Sequence, residues 1–178
     1  YRTGAIGKIH CPAFWVEDDC DVFQEAAGCS IGGNCAERRR YVRDHDLKGH
    51  VYGQVSHDGC PELCSYRDSV EGWSVTAAQQ FMEESQQRGQ AFFLHVSLPK
   101  PHQPYTPAQE FWDMYDPATL ALPPNFAYDV RAAGKAPSLI YEVERSKART
   151  NWYVEPKTYD AAMRRKFRGY LGCVTHVD

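Results

Sequence analysis

The stretch from Ser74 to Tyr105 constrains the fold more than any other part of the chain. Val75, Ala78, Phe81 and Met82 recur at helical spacing between Ser74 and Arg88, and Gly89 supplies the stop. Directly after it, Ala91-Phe-Phe-Leu-His-Val-Ser-Leu98 is a nearly continuous apolar run of strand length. A strand that is apolar on both faces belongs inside a parallel sheet, so an interior strand over 91–98 covered by a helix over 74–88 is expected. Helix, glycine, buried strand is a signature of α/β architecture. Pro99, Pro101 and Pro104 then stiffen the loop that leaves the strand. Ligands of α/β sheets bind beyond the carboxyl ends of strands, which puts His102 where a catalytic or binding group is expected.

The rest of the chain carries weaker signals. Arg2 to Ile6 reads as a short strand ending at Gly7, residues 18–27 as a short helix, and 37–44 as a charged helix. Loop is expected over 45–68, a short helix over 108–115, and a Pro-rich extended stretch over 116–125. Residues 126–157 read as irregular, and a last helix starts near Thr158 or Tyr159. At 178 residues the chain is about one domain. Its 43% hydrophobic and 24% charged residues are ordinary globular composition and exclude wholesale disorder. No run of 18 apolar residues exists, so no membrane span is expected. The chain opens within a strand and closes within a helix, which reads as an internal fragment of a longer protein.

Seven cysteines are many for this length, and the odd number leaves at least one unpaired within the chain. Six lie between Cys11 and Cys64, with Cys173 apart. Disulfides of an exported protein or reduced buried thiols account for them better than a metal site does. His57, Cys60 and Cys64 come nearest to metal-ligand spacing, but a zinc finger needs a second pair. Charge is uneven too. Residues 131–168 hold ten basic and four acidic side chains, a net of +6, while the remainder carries −9. Such a stretch either attracts an anionic substrate or, more plainly, forms a solvated helix face and loop.

Three segments together resemble the sulfatase family of the alkaline-phosphatase-like superfamily. The first is Tyr1-Arg-Thr-Gly-Ala-Ile-Gly-Lys-Ile-His10, similar to the family's strand leading into Gly-Lys-x-His. The second is Phe92-Phe-Leu-His-Val-Ser-Leu-Pro-Lys-Pro-His-Gln-Pro-Tyr105, similar to its buried strand and Pro-His-x-Pro loop. It continues through Phe111-Trp-Asp-Met-Tyr-Asp-Pro117 and Leu122-Pro-Pro-Asn125. The third runs from Arg165-Lys-Phe-Arg-Gly-Tyr170 to Asp178 and is similar to the helix that follows. Order and spacing match over about half of the chain; the Cys-rich region between Cys11 and Cys64 does not, and Cys11-Pro12 stands where the family usually has Leu-Gly.

The resemblance implies an α/β fold with a central, mostly parallel mixed sheet flanked by helices, and residues 1–178 as the middle of a sulfatase catalytic domain. It implies hydrolysis of a sulfate ester, on a small molecule or a carbohydrate, through a formylglycine nucleophile and a calcium ion. The Cys/Ser-x-Pro-x-Arg nucleophile motif is not in this sequence, and neither the upstream nor the downstream metal ligands are. The nucleophile, the calcium cage and hence the metal site are expected outside the chain, and the chain by itself is expected to be inactive. Asp18-Asp19 lies on the wrong side of Gly-Lys-x-His to serve as the family's metal pair.

Residue by residue, the resemblance implies that Lys8 holds a sulfate oxygen and the nucleophile's hydroxyl. A compact ammonium suits a spreading negative charge. His10 would take a proton from the sulfated hydrate, which suits an imidazole with an ordinary pKa of about 6.5. His102 would protonate the departing alcohol or hydrogen-bond the sulfate. Lys100 is close enough to assist in binding, against the plainer reading of a solvated lysine. His95 reads as a packed or bonded sheet residue, and His45, His50, His57 and His176 carry no supporting pattern. Lys8, His10 and His102 should meet in one cleft. A phosphonate or phosphate ester hydrolase on the same fold, or a Cys-rich binding module, are the alternatives. No nucleic-acid partner is expected, and an exported, periplasmic or lysosomal-type compartment is.

Overall fold

The computed structural model describes residues 1–9, 17–26, 35–47, 60–122, 131–142 and 159–178. Three strands, β1 (Arg2–Gly7), β2 (Val22–Glu25) and β3 (Phe92–Ser97), form one sheet in the order β2-β1-β3. Both pairings are parallel, so β1 is the central strand. Gly4 stands opposite Val22 and Leu94, Ala5 opposite Phe23 and His95, and Gly7 opposite Glu25 and Ser97. With helices packed on it, the chain is α/β, as the helix–glycine–strand pattern predicts. Among the described residues no helix is long and apolar enough to cross a membrane.

The 18-residue helix α2 (Val70–Gln87) covers one face of the sheet. Ala78 and Phe81 pack on Ile6 of β1, with Val22, Ala77 and Leu94 around them. Arg2 clamps the start of β1 to the far end of that helix. Its guanidinium lies 4.4 Å over the Phe81 ring and donates to the Phe81 carbonyl, to Ser85 Oγ and, at 2.8 Å, to Glu84. A second cluster of Ala26, Val70 and Trp73 lies under helix α1 (Ala36–Asp44), with Cys35 and Tyr41 packed against it. Helices α3 (Gln109–Trp112) and α4 (Tyr159–Val177) pack on each other beside the loop that follows β3.

Four expectations need correction. Residues 18–27 hold a 3-10 turn (Glu17–Asp19) and the strand β2 rather than a helix. The Asp21 carboxylate accepts from both the backbone N–H (2.8 Å) and the hydroxyl of Thr3, which pins this segment alongside β1. Second, β3 is at the edge of the described sheet, not inside it, and most of its side chains are exposed. Its apolar composition exceeds what one covering helix can bury. Third, α2 starts at Val70, capped by Ser69 accepting from the Gly72 N–H at 3.1 Å, and Ser74 is a buried residue inside it. Fourth, residues 137–142 are helical where irregular chain is expected.

Candidate functional site

Because the strands are parallel, the segments that leave β1 and β3 emerge at one edge of the sheet, side by side. Lys8 follows β1 there, and its N–H donates to the Ser97 carbonyl at 2.7 Å, extending the ladder by one bond. Gly7 makes this approach possible. Its φ is +103°, and a Cβ on it would lie 2.0 Å from the Ser97 oxygen, so no other residue fits. Lys8, partly buried, opens into a cleft of about 620 Å³ on the sheet face away from α2. Thr3, Ala5, Phe93, His95 and Ser97 contribute its sheet wall, and Asp19 and Cys20 close one side.

The loop after β3 carries His102 at the same sheet edge. His102 is exposed, its N–H donates to the Pro99 carbonyl at 3.0 Å, and its Nδ1 lies 2.7 Å from the Gln103 carbonyl. A carbonyl only accepts, so Nδ1 carries the proton. The peptide bonds Lys100–Pro101 and Gln103–Pro104 on either side are cis. Lys8 and His102 therefore reach one edge of the sheet, but His102 is not a wall of the cleft that Lys8 lines. His10 lies outside the described residues, as do Cys11, His50 and His57. His95 is exposed on the cleft side of β3 rather than packed.

Lys100 departs most from its reading as a solvated lysine. It is 3% exposed. Its Nζ donates to Glu71 at 2.7 Å and to Glu62 at 2.8 Å, and its backbone N–H donates to the other Glu71 oxygen at 3.1 Å. Burial alone would push this ammonium down, but Glu71 and Glu62 more than offset it and hold its pKa above the ordinary lysine value. A buried charge held by one buried and one half-buried carboxylate anchors a chain segment firmly. Lys100 thus ties the proline loop, two residues before His102, to the first turn of α2. It acts as an anchor of that loop.

His176 completes this buried cluster and was not legible as a functional residue. Its Nδ1 accepts from the Ala108 N–H at 3.1 Å, so the neutral ring carries its proton on Nε2. Nε2 lies 3.1 Å from Ser69 Oγ and 3.6 Å from Glu71. Burial, and then the Lys100 charge, lower the His176 pKa to about 4, with Glu71 opposing. The ligand atoms of Glu62, Glu71 and His176 lie within 4.8 Å of one another. They do not fit calcium, which takes six to eight oxygen ligands. The Lys100 ammonium stands where a cation would compensate the carboxylates.

Three of the described thiols are held in the neutral form by burial. Cys20, Cys35, Cys64 and Cys173 are free. Burial pushes Cys35 up to about 11 and Cys64 and Cys173 up to about 12, so all three stay protonated at neutral pH. No protein-family model matches the chain, and no curated protein matches it.

Proposed function

We propose that this chain is the middle of a sulfatase catalytic domain, whose parent protein hydrolyses a sulfate ester. The observation that carries the reading is the parallel pairing of β1 with β3, with Gly7 opposite Ser97. It brings the segment after Gly7-Lys8 and the Pro-His-x-Pro loop, some 90 residues later, to one carboxyl edge, where α/β folds bind ligands. Lys8 supplies a positive charge beside an open cleft for a sulfate oxygen. His102, with Nε2 as the second ring nitrogen, donates a proton to the departing alcohol when protonated. His10 takes the proton that releases sulfate from the hydrated nucleophile. Calcium, held by residues outside this chain, polarises the sulfate when bound.

The test is an assay of the full-length protein with an activated aryl sulfate and calcium, beside the matching aryl phosphate. Turnover of the sulfate is expected, falling about 10²–10⁴-fold in His102→Ala. The 178-residue chain alone is expected to be inactive, since it lacks the nucleophile motif. Turnover of the phosphate in place of the sulfate, or wild-type rates in His102→Ala, would overturn the assignment.

A further inference from the structure

The loop that carries His102 has two buried feet and an exposed arch. Pro99 and Lys100 are buried at one end, and Thr106, Pro107 and Ala108 at the other, while residues 101–103 are exposed between them. Both feet stand on one cluster. Glu71 accepts from the Lys100 backbone N–H and from its Nζ, and Glu62 accepts from Nζ as well. Glu62 also reaches the second foot, where its own N–H donates to the Pro107 carbonyl at 2.7 Å. The Ala108 N–H beside it donates to His176 Nδ1, and His176 in turn lies 3.6 Å from Glu71.

The bond to Ala108 exists in one protonation state only. The Ser69 hydroxyl gives its proton to the Tyr66 carbonyl at 2.6 Å, so towards His176 Nε2 it can only accept. Nε2 therefore carries the ring proton, and Nδ1 is the bare acceptor that the Ala108 N–H requires. A second proton would go on Nδ1, facing the Ala108 N–H, and the bond would be lost. A buried N–H would then stand unpaired, which is costly. The titratable and charged groups around the ring are Glu71 of α2, Glu62 ahead of it, Lys100 of the loop, and Tyr66 of the 3-10 turn Tyr66–Asp68, whose ring lies 5.1 Å away. On α4 itself, Cys173 stands one turn earlier and is neutral. Glu71 favours the charged ring; burial and Lys100 oppose it and prevail.

We propose that His176 is a positioning residue for His102, and that its hydrogen bond to Ala108 is an acid-released latch on the proline loop. The role assigned to His102 rests on the sulfatase reading; the latch does not. With the latch closed, the loop is held at both feet and presents His102 at the carboxyl edge of the sheet. With it open, the second foot keeps the Glu62–Pro107 bond but loses its tie to α4.

The experiment follows backbone hydrogen exchange in the full-length protein by mass spectrometry, corrected for the intrinsic effect of pH. Opening of residues 101–108 should rise on the order of 100-fold from pH 7 to pH 4, because the His176 pKa is 6.5 in the open loop and about 4 in the closed one. Strand β1 should stay protected throughout. In His176→Asn, whose Oδ1 accepts from Ala108 at every pH, the rise should shrink to under about threefold. No rise in the wild type, the same rise in His176→Asn, or opening of β1 together with the loop overturns the latch. A second arm reads positioning through turnover of an activated aryl sulfate at pH 7. His176→Ala should lower kcat on the order of tenfold with KM within about twofold, and His176→Asn should restore it. A loss in KM instead, or one that His176→Asn does not restore, overturns the positioning role. A wild-type protein that hydrolyses no aryl sulfate overturns the sulfatase reading and the role of His102 with it, while the exchange measurement judges the latch without substrate.

Discussion

Lys100 and Lys8 are both lysines at the carboxyl edge of the sheet, and their surroundings assign them opposite roles. Lys8 opens into a cleft, while Lys100 is enclosed with two carboxylates. Removing one partner of a buried ion pair leaves an uncompensated charge, at a cost of about 3–5 kcal/mol. Lys100→Met should therefore lower stability by that amount in urea unfolding, whereas Lys8→Met should stay within about 0.5 kcal/mol. Equal effects would mean that Lys100 is not an anchor. His176 makes a second prediction. Its folded pKa is depressed from 6.5 to about 4, so the native state refuses a proton that the unfolded chain accepts. Stability is then intact above about pH 6.5 and declines as pH falls towards 4, by on the order of 3 kcal/mol in all. In His176→Gln the difference in unfolding free energy between pH 7 and pH 4.5 should shrink by roughly that much. An unchanged difference would show that the imidazole is not the group responsible.

At the scale of elements, the joint between β1 and β3 decides where Lys8 sits. Gly7 and Gly89 both have positive φ, but a Cβ on Gly7 meets the Ser97 carbonyl, while one on Gly89 meets nothing. Gly89→Ala should cost about 1 kcal/mol, the ordinary penalty for a left-handed residue. Gly7→Ala should cost clearly more, because the strands must also part. Chemical unfolding of the two variants side by side checks this, and equal costs would contradict the pairing of β1 with β3. Helix α2 shows how a start is misread. Gly72 looks like a breaker in the sequence, yet it occupies the first turn because a Cβ there would lie 2.2 Å from the Tyr66 carbonyl. The true cap, Ser69, lies five residues ahead of Ser74, and the difference brings Glu71 within reach of Lys100.

For the molecule as a whole, the consequence of an edge position for β3 is exposed apolar surface. Phe93 is 68% and Phe92 40% exposed, beside an unpaired strand edge among the described residues. Such an edge is a template for pairing with another chain. The 178-residue chain should self-associate at micromolar concentrations. Phe93→Lys should suppress this with a change in stability within about 0.5 kcal/mol, because the side chain is exposed. Light scattering against concentration checks it; a monomeric wild-type chain, or no effect of the substitution, would count against an open edge.

The sequence by itself determined that the chain is α/β. Helical spacing before Gly89 and the apolar run after it are local patterns, and local patterns report on elements. It also determined β1, the charged α1 and the start of α4 to within a residue or two, for the same reason. Tertiary structure alone decided which strand is central, since composition marks a strand as apolar without naming its neighbours. It also decided that residues 22–25 pair with β1, through an Asp21–Thr3 contact across 18 residues. The fate of Lys100 was equally non-local, for Glu62, Glu71 and His176 come from three separate segments. Gly169, Gly172, Cys173 and His176 share the buried face of α4 at helical spacing, a signal passed over in the reading of His176 as a residue without a supporting pattern. Spacing shows that such a residue is buried. Only the fold shows what it is buried against.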